Sequence, residues 1–266
     1  MRLLVTGAAG LLGNELLRLA EHEVVPTYHS QPVPGGVQLD VRRLDQVLDV
    51  LRQVRPDGII HAAYKQSDWA TTAHGAANIA VAARGARLVF VSSDAVFRGR
   101  DTPYDEDEPP CPDTTYGAAK AAAETAVRAI DPSAVIARTS IIVGDDGQSA
   151  TERLVHDLAA GRPGSLYSGN IRCPVHVADL AAALLELLTS AHTGVAHIAG
   201  PQPLTRYDLG RLIAIRDGLD PDRLTFTPGE SSNIRLDARR TQQLLTTRLR
   251  APAEFLDLAV RKQNAG

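Results

Sequence analysis

The chain has 266 residues and a formal net charge of −3, with 44% hydrophobic and 22% charged residues. This length and composition are ordinary for a globular protein with a large core, built as one domain or as one domain with a smaller lobe. The weak negative charge gives no reason to expect nucleic acid or an anionic membrane surface as a partner.

The compartment is predicted from what the sequence lacks. No apolar run reaches the ~18 residues of a membrane span, and the apolar N-terminus is broken by glycines and charges too early for a signal peptide. Cys111 and Cys173 lie far apart in no metal-ligand spacing, so we expect reduced thiols and no metal site. We therefore predict a cytoplasmic protein. The residues leave its oligomeric state open, a homodimer included.

The first turn of the chain predicts a dinucleotide site. Residues 1–5 form a short apolar strand, and the next stretch, 11–21, has helical spacing. Glycines at 7, 10 and 13 allow a tight turn, a close approach of the backbone to a pyrophosphate, and close packing of helix on strand. The helix N-terminus then offers free N–H groups to the phosphates. The candidate cofactor residues here are Gly7, Gly10, Leu11, Leu12 and Gly13.

Strands and helices alternate along the chain. The patterns predict strands at 1–5, 22–28, 36–39, 57–63, 86–92, 134–143 and 195–198, and helices at 11–21, 44–54, 71–84, 116–130, 150–160, 178–190, 206–216, 239–246 and 252–261. Strands that are apolar throughout and alternate with helices indicate an α/β fold with a doubly wound parallel sheet of the Rossmann type.

After Gly144 the alternation loosens, which predicts a smaller C-terminal lobe that binds substrate. The dinucleotide-binding domain should cover 1–145, with 175–200 returning to it. The lobe should cover 146–174 and 201–266.

The end of the second strand bears on the choice of cofactor. An acidic residue there would bind the ribose 2′-OH of NAD and repel the phosphate of NADP. The chain has Thr27-Tyr28-His29-Ser30, without an acid. We therefore favour NADP over NAD, with His29 and Ser30 as contacts of the 2′-phosphate. The alternative is that both are ordinary loop residues.

A tyrosine and a lysine are predicted to share one helix face. Tyr116 and Lys120 are spaced i and i+4. A phenol has an ordinary pKa near 10, so it works as a base at neutral pH only if nearby cations favour the phenolate. Lys120 and an oxidised nicotinamide ring would both do so, and Tyr116 could then give a proton to a carbonyl oxygen or take it back in reverse. Ser92 and Ser93 follow the fifth strand, and a hydroxyl there could hold the same oxygen; the alternative is a serine that only caps or ends the strand. The alternative is a surface Tyr–Lys pair.

These motifs together resemble the extended short-chain dehydrogenase/reductases of the NAD-dependent epimerase/dehydratase superfamily, most closely the dTDP-4-dehydrorhamnose reductase group. The stretch 91–97, Val-Ser-Ser-Asp-Ala-Val-Phe, is similar to that group's motif around its catalytic hydroxyl, and 103–117 is similar to the segment that follows. The resemblance implies Ser93, Tyr116 and Lys120 as catalytic residues, with Tyr116 as proton donor. It implies Asp94 as a substrate contact and places Tyr116 and Lys120 against the cofactor.

The resemblance extends to other segments. It implies that Asp40 and Val41 contact adenine, and that Asn78 supports the proton relay. Arg172 and Arg235 resemble arginines that approach a sugar diphosphate, and two guanidinium groups suit that charge and geometry. The alternative is that both are solvated surface arginines. The segment implied to line the cofactor site after the fourth strand is Ala62, Ala63 and Tyr64.

The implied function is reduction of a keto group on a nucleotide-linked sugar of the dTDP type, with NAD(P) as cofactor. Three departures from the group's pattern, Ala95, Ile141 and Val175, fall on the substrate side, so the exact sugar stays open.

Two alternatives remain. An epimerase or dehydratase of the same superfamily would return the hydride, with Asp94 as its extra acid–base residue. A non-catalytic regulatory subunit would bind the cofactor without turnover.

Overall fold

The computed structural model describes residues 1–229 and 232–256. Seven strands, all pairing in parallel, form the central sheet in the order β11-β6-β5-β4-β1-β2-β3. They are β1 (Arg2–Thr6), β2 (Glu23–Tyr28), β3 (Val37–Gln38), β4 (Gly58–His61), β5 (Arg87–Ser93), β6 (Val135–Thr139) and β11 (Gly194–Ile198). The order reverses beside β1, as in doubly wound dinucleotide-binding folds. The predicted Rossmann sheet is confirmed.

Helices cover both faces of this sheet, which is why its inner strands are apolar throughout. One face packs against α1 (Leu11–Leu19) and α6 (Val177–Thr189), through side chains such as Leu16 and Leu184. The other packs against α2 (Leu44–Val54), α3 (Gly75–Ala82) and α4 (Thr115–Ile130). Because β5 and α4 meet at the C-terminal edge of the sheet, Ser93 and Tyr116 lie at the same edge.

A smaller group of elements has its own apolar cluster, formed by residues such as Val155, Leu166 and Ile213. Its helices are α5 (Ala150–Ala159), α7 (Arg206–Arg216) and α9 (Pro252–Phe255), whereas α8 (Arg239–Leu244) contacts β11 of the central sheet through Thr241. Its strands have two residues each: β7 (Ile142–Val143), β8 (Leu166–Tyr167), β9 (Ile171–Arg172), β10 (Val175–His176), β12 (Leu204–Thr205) and β13 (Phe226–Thr227). In the described part of the chain, no helix is both long and apolar enough to span a bilayer.

Three predicted elements differ from the structure. The strand predicted at 134–143 is interrupted at Ser140, so that β6 joins the main sheet and β7 pairs with β10. The helix predicted at 71–84 begins as a π-helical turn, Ala70–His74, before α3. Of the helix predicted at 252–261, the structure describes Pro252–Phe255 as α9, and residues beyond 256 lie outside the described part.

Candidate active site

The glycine turn after β1 forms one end of a cleft. Gly7 has φ +72°, and a Cβ on it would lie 2.9 Å from the Ala63 backbone. The N–H of Gly10 donates to the Gly7 carbonyl at 3.0 Å, and α1 begins at the next residue. A Cβ on Gly13 would overlap the Gly7 carbonyl. The turn therefore depends on glycine for both its conformation and its close contacts.

The cleft has a volume of about 300 Å³ and runs along the C-terminal ends of β1, β2, β3 and β4. Most of the predicted cofactor residues line it: Gly7, Gly10, His29, Ser30, Asp40, Val41, Ala62, Ala63 and Tyr64. The others do not. Leu12 and Gly13 are buried between α1 and the sheet, and Leu11 is half-buried at the start of α1. The cleft is open along the edge where a dinucleotide lies in this architecture.

An arginine that the sequence analysis missed lies next to the part of the cleft that His29 and Asp40 line. Arg42 binds Asp40 through two nitrogens, with its Nη2 2.7 Å from Oδ2. The same Nη2 is 3.5 Å from Nε2 of His29. Hydrogen bonds from Arg42 lower the pKa of Asp40 to about 2. This part of the cleft therefore has a guanidinium and an imidazole beside one carboxylate. The signal was present, since Arg42 directly follows the predicted adenine-contacting pair.

Ser93 and Tyr116 come together where β5 ends and α4 begins. The Thr114 hydroxyl caps α4 by accepting from the N–H of Gly117 at 3.0 Å. A Cβ on Gly117 would overlap the Ala95 carbonyl, so glycine lets the helix start close to the end of β5. Tyr116 is half-buried, and burial is the main reason that its pKa is raised; an interaction with the Ser93 hydroxyl lowers it in part.

Lys120 lies one turn deeper in α4 and is 3% exposed. Its Nζ donates to the Val91 carbonyl at 2.8 Å and lies 5.1 Å from the centre of the Tyr64 ring. Burial lowers the pKa of Lys120 to about 7. The sequence analysis expected Lys120 to pull the pKa of Tyr116 down. The structure differs because burial, Tyr64 and Asp94 raise the pKa of that phenol.

The predicted substrate contact Asp94 is 6% exposed and is held from three sides. Its Oδ2 accepts from the Ser140 hydroxyl at 2.6 Å and lies 3.6 Å from Nε of Arg172. Its Oδ1 accepts from the Ser93 hydroxyl at 3.3 Å. The Ser140 oxygen also accepts from the N–H of Cys173. The interruption between β6 and β7 thus supplies the hydroxyl that joins Asp94 to the smaller lobe.

The two predicted diphosphate arginines both lie around Cys173, and their charges lower its pKa while burial raises it to about 11. Arg172 is not a solvated surface residue, because its side chain is 12% exposed and Nη1 donates to the Ser232 carbonyl at 2.6 Å. Arg235 is half-buried and donates to the Asp101 carbonyl. A further arginine, Arg206, interacts electrostatically with Asp94 and Arg172. The sequence analysis did not single it out.

Asn78 makes contacts that the family resemblance did not suggest. Its side-chain amide donates to the Val41 carbonyl at 2.9 Å and to the Arg42 carbonyl at 3.1 Å. Asn78 therefore ties α3 to the loop that carries Asp40 and Val41.

A parallel sheet of this order, with a glycine turn, an open cleft and a Ser–Tyr–Lys set at one edge, defines a dinucleotide-binding α/β protein of the short-chain dehydrogenase/reductase type. The chain belongs to the family described as RmlD substrate binding domain, whose model matches residues 1–256. This assignment confirms the predicted resemblance to extended short-chain dehydrogenase/reductases and the predicted class, an NAD(P)-dependent oxidoreductase.

Three relatives illustrate the range of similarity. A probable dTDP-4,6-dihydroxy-2-methyloxan-3-one 4-ketoreductase of Streptomyces antibioticus is 34% identical over 247 residues, covering 86% of this chain and 81% of the relative. The crystal structure of a dTDP-4-dehydrorhamnose reductase from Bacillus anthracis in complex with NADP has a TM-score of 0.81 and 26% identity, and covers 96% of each chain. A methionine adenosyltransferase 2 subunit beta of Xenopus tropicalis is 30% identical over 233 residues, covering 78% of this chain and 70% of the relative.

Proposed function

We propose that the chain is an NADP-dependent reductase of a keto group on a dTDP-linked sugar. The observation that carries this proposal is that Tyr116 and Lys120 both lie beside Tyr64, which lines the cleft, at 5.8 Å between the two tyrosine rings and 5.1 Å from the Lys120 Nζ to the Tyr64 ring, and that Ser93 interacts with Tyr116. Relatives named as dTDP-sugar reductases support the substrate class.

The residues that line the cleft suit a dinucleotide. Gly7 and Gly10 leave room for a pyrophosphate, since a side chain at either position would contact backbone atoms at 2.9 Å or 3.4 Å. His29 and Ser30 line the cleft beside Arg42, and all three suit the 2′-phosphate of NADP. When bound, the reduced nicotinamide supplies the hydride that the reaction needs.

Tyr116 would act as the proton donor. Its raised pKa keeps the phenol protonated at neutral pH, which is the form that can give a proton to a carbonyl oxygen as negative charge develops there. On substrate binding, the single O–H of Ser93 would turn from Asp94 to the same oxygen and hold it in line with the phenol. Lys120 would bind the nicotinamide ribose. In the reverse reaction, the positive charge of the oxidised nicotinamide would favour the phenolate form of Tyr116.

Asp94 and Arg172 would hold the sugar nucleotide on the other side of Ser93. Asp94 is 6% exposed, and its carboxylate accepts hydrogen bonds from two hydroxyls, so it is fixed in place for contacts with sugar hydroxyls. Arg172 suits the diphosphate, because a guanidinium can bind phosphate oxygens through two parallel N–H groups.

The test is oxidation of NADPH by the purified protein with a dTDP-4-keto-6-deoxy sugar, with NADH measured in parallel. We expect stoichiometric NADPH consumption and a reduced sugar nucleotide. An epimerase or dehydratase would convert the sugar without net consumption of cofactor.

A second candidate function, a non-catalytic regulatory subunit, is favoured by the relative of that kind. It predicts cofactor binding without turnover of any keto sugar.

A further inference from the structure

Among the residues that the structure describes, the guanidinium of Arg206 in the smaller lobe has no partner, and it lies next to the predicted substrate arginine. β12 pairs antiparallel with β9, with Leu204 opposite Arg172 and Thr205 opposite Ile171. The pairing continues for one more residue, since the N–H of Arg206 donates to the Asn170 carbonyl at 3.0 Å. This register places Arg206 opposite Asn170. Because side chains alternate along a strand, Asn170 and Arg172 are on one face, together with Arg206.

Both new members of this face have a buried polar atom that finds no hydrogen-bond partner in the described part of the chain. These atoms are Nε of Arg206 and Oδ1 of Asn170. Within residues 1–229 and 232–256, the Arg206 guanidinium has no hydrogen bond and no carboxylate at salt-bridge distance. Buried polar groups are nearly always paired in folded proteins, because an unpaired group loses its hydration without compensation. This argument applies to the buried Nε of Arg206, while the side chain as a whole is half-buried and so stays open to a ligand, which makes Arg206 a candidate ligand contact.

The electrostatic setting makes the position costly without an anion. Arg206 lies close enough to Arg172 for its charge to lower the pKa of that guanidinium. It is also the first residue of α7, where the helix dipole disfavours a cation. Asp94 is the carboxylate that interacts electrostatically with both arginines, and it already accepts from Ser140. Arg172 also interacts with a second carboxylate, Asp113, whereas Arg206 has no carboxylate at salt-bridge distance among the described residues.

The face that carries Arg206 lies next to the residues proposed to hold the substrate. Ser93 bonds to Asp94, and Asp94 lies 3.6 Å from Arg172. A sugar whose carbonyl lies at Ser93 would extend past Asp94 toward Arg172, so its diphosphate would reach the face that also carries Arg206.

We propose that Arg206, supported by Asn170, is a further substrate-binding residue that contacts the diphosphate of the sugar nucleotide beside Arg172. This inference rests on the proposed function. Arg206 binds the anion and takes no part in proton transfer, because it lies on the smaller lobe, beyond Asp94 and Arg172 as seen from Ser93.

The experiment measures dTDP binding by calorimetry to the NADP-loaded protein. Arg206→Gln should weaken dTDP binding about tenfold or more, the size expected for a lost hydrogen bond to a charged group, and leave thymidine binding unchanged. Arg206→Lys should have a dTDP affinity between those of the wild-type protein and Arg206→Gln, because lysine keeps the positive charge but loses the paired N–H groups of the guanidinium. Arg211→Gln is the matched control, since Arg211 is on the same helix and pairs with Asp222 at 3.1 Å.

The outcomes separate the two proposals. If the wild-type protein and Arg206→Gln bind dTDP equally, this inference is overturned and the proposed function stands. If the wild-type protein does not bind dTDP, the dTDP-sugar function fails, and this inference with it. Steady-state kinetics supply a second readout. Arg206→Gln should raise KM for the sugar nucleotide and leave kcat within about twofold, because the lost contact would bind the ground state and the transition state equally.

Discussion

The Nζ of Lys120 donates a hydrogen bond to the carbonyl oxygen of Val91 at 2.8 Å. This bond fixes the amine under the end of β5, against the rings of Tyr64 and Phe90. Burial there disfavours the ammonium and lowers the pKa of Lys120 to about 7, although the Glu124 charge opposes the change. The amine is thus poised to titrate near neutral pH, which is a common property of residues at functional sites.

The stability of the protein without cofactor should report this titration. The pKa of Lys120 is about 7 in the folded protein and 10.5 in the unfolded reference. Between these values the unfolded chain binds a proton that the folded protein does not, so the free energy of unfolding should rise with pH from about 7 toward 10.5. Urea denaturation at pH 7 and pH 9 measures this slope. Lys120→Met should reduce it, and an equal slope in both proteins would contradict the assignment.

The glycine turn should tolerate no side chain at its first position. Gly7→Ala would place a Cβ 2.9 Å from the Ala63 backbone at φ +72°, so we expect a less stable protein with NADPH affinity reduced at least tenfold, because the turn that receives the pyrophosphate must shift. Gly35→Ala is the control, since Gly35 has φ +67° and nothing within 4 Å of its Cβ. Fluorescence titration with NADPH compares the two. Equal affinities would show that the turn does not hold the cofactor.

Arg42 should favour NADPH over NADH. Removing its charge in Arg42→Gln leaves the Asp40 carboxylate, which Arg42 binds at 2.7 Å, to repel a 2′-phosphate. We expect NADPH affinity to fall about tenfold, as for a lost charge-assisted contact, with little change for NADH. Arg43→Gln is the matched control, because Arg43 pairs with the exposed Asp45. Parallel changes for both cofactors would place the 2′-phosphate elsewhere.

A buried ion pair below the active site should contribute strongly to stability. Glu124 and Arg138 are 2% and 1% exposed and are 2.8 Å apart, and Glu124 also accepts from the Ser92 hydroxyl. Glu124→Gln leaves a buried guanidinium uncompensated, so urea denaturation should show a loss of about 3–5 kcal/mol. The double variant Glu124→Leu/Arg138→Met should be less destabilised than that, because it removes both charges. A larger loss in the double variant would contradict this reading.

The elements that sequence patterns predicted well are those whose local signals agree with their packing. The helix predicted at 44–54 matches α2 at both ends, and its buried Val47, Leu51 and Val54 share one apolar face. The two-residue strands of the smaller lobe were missed, because two residues show no periodicity. The interruption at Ser140 was also missed. Its cause is long-range, since the Ser140 hydroxyl bonds to Asp94 across 46 residues of chain.

The same division applies to the candidate site. The glycine turn, Ser93 and the pair Tyr116 and Lys120 are local motifs, so they could be recognised in the sequence. Arg206 lies in the loosely patterned C-terminal part and reaches its neighbours only through the pairing of β12 with β9. The direction in which the Tyr116 pKa shifts could not be predicted from the sequence, because the shift depends mainly on burial and not on the spacing to Lys120.

The central claim is that the Tyr116 phenol supplies the proton in a reduction by NADPH. The most direct measurement is single-turnover NADPH oxidation with a dTDP-4-keto-6-deoxy sugar by the wild-type protein and by Tyr116→Phe, after NADPH binding to each has been titrated. We expect Tyr116→Phe to bind NADPH normally and to lose about 10²–10⁴-fold in rate, the usual contribution of a general acid. Turnover at the wild-type rate by Tyr116→Phe would contradict the account.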